Sequence, residues 1–253
     1  MEKGICKLSI IPLRETANDR SQMVTQLLFG ETYSILKQED KWLFVQIDHD
    51  TYEGWIDKKQ FTPATTSMQN AALTYDLTHP IVINNHHIPL VLGSKLHNFD
   101  GINCSIEKQK ASYNGLAVQP NDFAFNEERV TKTALKYLHT PYLWGGRSPF
   151  GIDCSGFTQN VYQFFAVALP RDAYQQATQG QIVGFAEEAQ PGDLAFFDRE
   201  EDGHIIHVGI ILKDKQIIHA SGKVRIDPFD HFGIFNKEEN KYTHKLRIIK
   251  RVV

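Results

Sequence analysis

Tyr142-Leu143-Trp144-Gly145-Gly146-Arg147-Ser148-Pro149-Phe150-Gly151-Ile152-Asp153-Cys154-Ser155-Gly156 runs directly into Phe157 to Leu169, where Phe157, Val161, Phe164, Phe165 and Ala168 fall on one helical face. The spacing predicts a helix over that span with Cys154 at its start. Unpaired N–H groups and the positive end of the helix dipole favour a thiolate there, and so predict a thiol pKa lowered from about 8.5 toward neutrality. Most free cysteines are small buried hydrophobes. The glycine-rich approach and the helix start favour a nucleophile instead.

Composition limits the alternatives. The chain has 253 residues, 42% hydrophobic and 23% charged, enough for one large domain or two to three small ones. A net charge of -3 and the lack of a dense Lys/Arg cluster give no case for nucleic acid or an anionic membrane as partner. The start, Met1 to Cys6, carries no signal-peptide run, and no segment approaches the roughly 20 apolar residues of a membrane span. Cys6, Cys104 and Cys154 form no disulfide framework, which suits a reducing compartment and points to the cytoplasm.

Residues 1–62 read as short strands: Cys6 to Ile11, Met23 to Leu28, Tyr33 to Lys37, Trp42 to Ile47 and Gly54 to Ile56. Strands this short and close together imply a small barrel, with Gly30 and Gly54 at bends. Thr62 to Ala72 reads as a Thr/Ser/Pro/Ala linker. Residues 73–120 are β again, with strands at Ile81 to Ile83, Ile88 to Leu92 and Leu116 to Val118, and a hairpin turn at Asn84-Asn85-His86-His87. His86 and His87 are neighbours on an extended chain and point apart, which argues against a metal site.

The third region, 121–253, opens with a helix capped by Asn126 and stopped at Pro141, with Val130, Ala134, Tyr137 and Leu138 on its apolar face. The Cys154 helix follows. Strands are then expected at Leu194 to Phe197, His204 to Leu212, Gln216 to Ala220 and Leu246 to Val253, an α+β order.

A thiolate nucleophile needs a proton acceptor that can later donate to a leaving amine, and histidine titrates in the right range. His207 and His219 lie on consecutive strands and suggest a Cys-His-His set. A two-residue turn at Asp214-Lys215 would place them on opposite faces, so a shared site requires an odd-length turn or a bulge. Cys154, His204, His207 and His219 are suitable zinc ligands by type, but 204 and 207 face opposite sides of a strand, so no metal is expected.

Asp153-Cys154-Ser155-Gly156, Tyr142-x-Trp144-Gly145-Gly146, Leu169-Pro170-Arg171 with Gln175-Gln176, Pro191-Gly192-Asp193-Leu194, His207-Val208-Gly209-Ile210 and His219-Ala220 resemble the NlpC family of papain-like cysteine peptidases over roughly residues 126–253. The N-terminal strands, with Gly54-Trp55, resemble bacterial SH3-like barrels. Together they are similar to the γ-D-glutamyl-L-diamino acid endopeptidases. The fold this implies is multidomain: SH3-like β-barrels followed by an α+β papain-like (NlpC) catalytic domain.

The resemblance also implies roles. Cys154 would be nucleophile, His207 general base and acid, and His219 the residue orienting it, with the Cys154 N–H and the Tyr142 hydroxyl at the oxyanion. Asp153 and Ser155 would bind the peptide, Asp153 taking the L-alanine ammonium, and Tyr52 of the first barrel would close the pocket. The implied substrate is a murein tri- or tetrapeptide, L-Ala-γ-D-Glu-diamino acid, cleaved without a cofactor during cell-wall recycling. Gln22 stands where an acid would help hold the ammonium, and Ala173 where relatives carry a serine. Other readings are an amidase or acyltransferase of the same fold, or a non-catalytic wall-binding protein.

Overall fold

The alternation Trp42-Leu43-Phe44-Val45-Gln46-Ile47 predicts a strand with one buried face, and Leu43, Val45 and Ile47 are at most 1% exposed. This strand lies inside the first of two units in a computed structural model that describes residues 2–64, 71–199 and 203–253. The first unit comprises Met1–Phe123 and Trp144–Pro149; the second comprises Ala124–Leu143 and Phe150–Val253.

In the first unit β1 (Lys3–Ile5), β2 (Ile10–Arg14), β3 (Met23–Leu28), β4 (Thr32–Gln38), β5 (Trp42–Ile47) and β6 (Glu53–Asp57) form one sheet in the order β1-β4-β5-β6-β2-β3. The single strand expected over Cys6 to Ile11 is instead a bend between β1 and β2. Cys6 turns inward there, its N–H and C=O bonded to Glu31 and Gly30. Gly54, opposite Val45, leaves room where a Cβ would stand 3.1 Å from Leu13 Cβ.

The next strands are β7 (Ala72–Thr74), β8 (Thr78–Ile83), β9 (His86–Val91), β10 (Lys95–Leu96), β11 (Asn103–Ile106), β12 (Gln109–Ser112) and β13 (Ala117–Val118). They make a three-stranded sheet, β10-β7-β13, and a four-stranded one, β11-β12-β8-β9. The expected hairpin is present, but Asn84 and Asn85 alone make its turn, both at positive φ, while His86 pairs with Ile83 inside β9. Ile5 and Phe29 pack into the same core as Ile81, Leu90 and Tyr113. Of the expected linker, residues 65–70 lie outside the described residues.

Trp144–Pro149, with β14 (Arg147–Ser148), completes this unit. Arg147 is 1% exposed; its guanidinium donates to Glu31 Oε2 and Oε1 at 2.9 and 3.0 Å and to the Gln26 carbonyl at 2.8 Å. Burial raises the Glu31 carboxyl, but the charges of Arg147, His49 and Lys95 outweigh it and hold the group at about 2.

The second unit begins with α1 (Glu127–Leu135), where Asn126 Oδ1 accepts from the Arg129 N–H at 2.9 Å and Glu127 and Glu128 complement the dipole. After β15 (Gly151–Ile152) comes α2 (Cys154–Tyr162), all nine of its residues buried. The helix expected to reach Leu169 stops after one further tight turn at 163–165, where Ala166 adopts a left-handed φ of 56°. Pro170 disfavours helical backbone at Leu169, so the chain leaves the helix before it.

α3 (Ala173–Gln176) carries a capping box from Asp172 and Gln175. Next come β16 (Gln181–Val183), β17 (Leu194–Asp198), β18 (Ile205–Leu212), β19 (Gln216–Ser221), β20 (Lys223–Asp230), β21 (Gly233–Asn236) and β22 (Lys241–Arg251). The sheet runs β16-β22-β17-β18-β19-β20-β21, and β22 also pairs with β21, so six of the seven strands close into a barrel. Its core includes Ala195, Phe197, Ile211, Ile217, Phe229, Ile234 and Ile249. β17 is buried from Leu194 to Phe197, as its continuous apolar run predicts. β18 and β19 stand where expected, and β22 begins earlier than the predicted Leu246.

Candidate active site

Asp153 caps α2: its Oδ1 accepts from the Gly156 N–H at 2.7 Å, which fixes Cys154 as the first helical residue. The helix packs on β18 and β19. The Cys154 thiol points at the Ile206 carbonyl oxygen, 4.0 Å away, and the Val208 N–H also reaches the sulfur. The sulfur thus rests against the β18 backbone on either side of His207.

The turn between β18 and β19 has three residues, Lys213 to Lys215, with Asp214 and Lys215 at positive φ and Leu212 paired with Gln216. This odd length puts Gly209 opposite His219, so His207 and His219 share a face. His207 Nε2 is 2.9 Å from His219 Nδ1, and His219 Nε2 is 2.9 Å from Asp227 Oδ2. Arg225 grips the same carboxylate, Nε to Oδ2 at 2.6 Å and Nη2 to Oδ1 at 2.8 Å. The His244 ring, from β22, stacks on His207 at 4.2 Å between centroids with the planes 31° apart.

The electrostatics depart from the helix-start expectation. Burial, aided by the Asp153 charge, pushes the Cys154 thiol up to about 12, against the backbone N–H groups of Val208 and Ser155 and the charge of Arg171. The dipole is present, but the cost of taking a sulfur anion out of water exceeds it. Burial also holds His207 well below 6.5, helped by His244 and His219, and lowers His244 to about 4. His219 lies below its ordinary value because burial exceeds the pull of Asp227. Both the Cys154 thiol and the His207 imidazole are therefore neutral at rest near neutral pH.

Asp153 is already engaged. Arg171, 1% exposed, donates Nη1 to Oδ1 at 3.0 Å and Nη2 to Oδ2 at 2.6 Å, and Nη1 reaches Ser155 Oγ at 2.9 Å. Tyr142 is half-buried, its N–H bonded to the Gly222 carbonyl at 3.0 Å. Burial, then the charges of Cys154 and Asp153, push its hydroxyl upward, so it remains a donor. Six of the seven expected site residues are thus in the second unit. Tyr52 is in the first, partly buried against its barrel core, with its N–H on Asp50 Oδ1 at 3.0 Å. His204 packs its ring on Tyr174, and no three His, Cys, Asp or Glu converge as metal ligands among the described residues.

Asp227, Arg225, His244 and the pairing of Arg171 were not anticipated. The signal for the first two was available: Lys223-Val224-Arg225-Ile226-Asp227 alternates as a strand, and Arg225 lies directly opposite His219.

A cysteine delivered by a buried helix to a rolled antiparallel sheet bearing paired histidines, preceded in the chain by a six-stranded SH3-like sheet, defines an α+β peptidase architecture with an SH3-like module. A model of the NlpC/P60 family matches residues 139–245, and one of the bacterial dipeptidyl-peptidase SH3 domain matches residues 13–61. The chain belongs to the NlpC/P60 family. Dipeptidyl-peptidase 6 of Lysinibacillus sphaericus is 31% identical over 229 residues, 79% of this chain and 81% of that protein. The gamma-D-glutamyl-L-lysine dipeptidyl-peptidase of Bacillus cereus (strain ATCC 10987 / NRS 248) is 25% identical over 248 residues, 84% of this chain and 72% of that one. The crystal structure of an NlpC/P60 family protein from Bacillus cereus ATCC 10987 shares the fold, with a TM-score of 0.85 at 23% identity over 99% of each chain.

Proposed function

We propose that this chain is a cysteine endopeptidase that hydrolyses the γ-D-glutamyl–diamino acid bond of murein tri- or tetrapeptides with a free N-terminal L-alanine, recycling wall peptides in the cytoplasm. The observation that carries the reading is the bond from His207 Nε2 to His219 Nδ1, on the strand against which the Cys154 sulfur rests. It leaves Nδ1 of His207 as the ring nitrogen available to the thiol. The names of the relatives supply the substrate class.

Because the thiol is neutral at rest, its proton passes to His207 as the sulfur attacks the γ-carbonyl carbon. The oxyanion is met by the Cys154 N–H and the Tyr142 hydroxyl, donors worth about 3 to 4 kcal/mol each in comparable sites. As the C–N bond breaks, His207 returns the proton to the leaving amine, giving the diamino acid and a thioester on Cys154. Water, deprotonated by His207, then attacks the thioester carbon; the C–S bond breaks, L-Ala-γ-D-Glu leaves, and His207 returns the proton to the Cys154 sulfur. Asp153 and Ser155, held by Arg171, meet the amino end of the peptide.

The test is hydrolysis of L-Ala-γ-D-Glu-L-Lys and of its N-acetylated form. Release of lysine from the free peptide alone is expected. Equal cleavage of both removes the amine requirement, and cleavage of neither removes the hydrolase reading.

A further inference from the structure

An imidazole with one proton carries it on either nitrogen, and only a bare His207 Nδ1 can accept the Cys154 proton. We propose that Asp227, clamped by Arg225, is a positioning residue that fixes this choice through His219, extending the site to a four-member relay: Cys154, His207, His219, Asp227. The catalytic consequence rests on the hydrolase reading above, whereas the proton arrangement itself does not.

The assignment follows from counting donors. Asp227 is 3% exposed and takes two hydrogen bonds from Arg225, so it stays an ionised, acceptor-only carboxylate. Its Oδ2 lies 2.9 Å from His219 Nε2, which must therefore carry the hydrogen. Neutral His219 then has a bare Nδ1. That atom lies 2.9 Å from His207 Nε2, which must donate to it, and neutral His207 is left with its lone pair on Nδ1.

Arg225 does more than neutralise. Its two bonds to Asp227 fix the carboxylate plane, and its Nη1 and Nη2 are held in turn by Glu238 Oε2 at 3.1 Å and Asn236 Oδ1 at 3.2 Å. When His207 gains a proton during attack, its Nε2–H still donates to His219, and Asp227 balances the new charge across the His219 ring. His244, stacked on His207, provides no carboxylate that could substitute.

Asp227→Asn tests this because an amide has one acceptor and one donor end. If its NH2 faces His219, both imidazoles reverse and His207 presents N–H to the sulfur. If its NH2 faces Arg225, two donors collide and the clamp opens. The wrong-tautomer variant of the serine-protease triad loses about 10⁴ in kcat, and with the perturbation one ring further out a loss of about 10²- to 10⁴-fold is expected here. KM should be unchanged, and Asp227→Glu should recover part of the rate.

The deciding measurement is the ¹⁵N–¹H spectrum of the histidine rings in the full chain at neutral pH without substrate. Protons on Nε2 of both His207 and His219, with both Nδ1 atoms bare, are expected in the wild type and should be lost in Asp227→Asn. A wild-type spectrum with the His207 proton on Nδ1 overturns the proposal, whether or not the variant folds. Wild-type kcat in a folded Asp227→Asn chain overturns it as well. A wild-type chain that cleaves no peptide overturns the hydrolase reading, while the ring spectrum still decides the proton arrangement.

Discussion

Replacing Arg171 by Met should loosen the helix that carries Cys154. The guanidinium and the Asp153 carboxylate form a two-pronged pair at 3.0 and 2.6 Å, with side chains 1% and 8% exposed. Removing one partner of a buried pair costs about 3 to 5 kcal/mol, since the other charge stays enclosed without compensation. Here the Gly156 N–H still bonds Asp153, and the α2 dipole favours a negative charge by about 0.3 to 1 kcal/mol, which places the net cost near 3 kcal/mol. At about 1.4 kcal/mol per decade, amide protection in α2 should fall roughly 100-fold where exchange reports the opening equilibrium. Trp42, Trp55 and Trp144 all lie in the first unit, so tryptophan fluorescence is blind to this change and hydrogen exchange is the right assay. Adding Asp153→Asn should restore most of the protection, because asparagine keeps the helix cap without the charge. A loss below about 1 kcal/mol for Arg171→Met, or no recovery in the double variant, would refute the reasoning.

Three further outcomes follow from the same geometry. His207, His219 and His244 titrate below 6.5 when folded, so the unfolded chain binds more protons between 6.5 and the folded values, which for His244 means about 4. Their stabilisation is complete above 6.5 and is lost as pH falls through that window, by up to about 1.4 kcal/mol per pH unit for each histidine; a urea midpoint for the second unit that is flat from pH 7 to 4.5 would contradict this. Glu31→Gln strands the buried Arg147 charge and should cost the first unit about 3 kcal/mol by tryptophan-monitored denaturation, with a change under about 1 kcal/mol as the failing result. Gly209→Ala would place a Cβ 2.9 Å from His219 Cβ and 2.8 Å from Ile217 Cδ1, so the relay must shift; kcat should drop up to about 10²-fold, and an unaltered kcat would show that the site tolerates the movement.

The elements legible in the sequence were those whose pattern is local. Alternation in Trp42 to Ile47, the Asn126 cap and the apolar run at Leu194 each reflect one periodicity or one hydrogen bond. The His207–His219 pairing was legible as a condition, an odd turn, which Lys213 to Lys215 satisfies. What was not legible depends on long-range pairing. His244 reaches His207 only because β22 folds back onto the barrel, and no spacing along the chain encodes that. The thiol pKa was misjudged for a similar reason: the dipole at the Cys154 helix start can be read locally, whereas the burial that overrides it is set by the whole unit.

In the proposed reaction the Cys154 sulfur takes the acyl group, and trapping that adduct is the most direct test. Rapid quenching of the wild-type chain with L-Ala-γ-D-Glu-L-Lys, followed by peptide mass analysis, should find L-Ala-γ-D-Glu joined to Cys154, while Cys154→Ala should form no adduct and release no lysine. Lysine release by Cys154→Ala at the wild-type rate would contradict it.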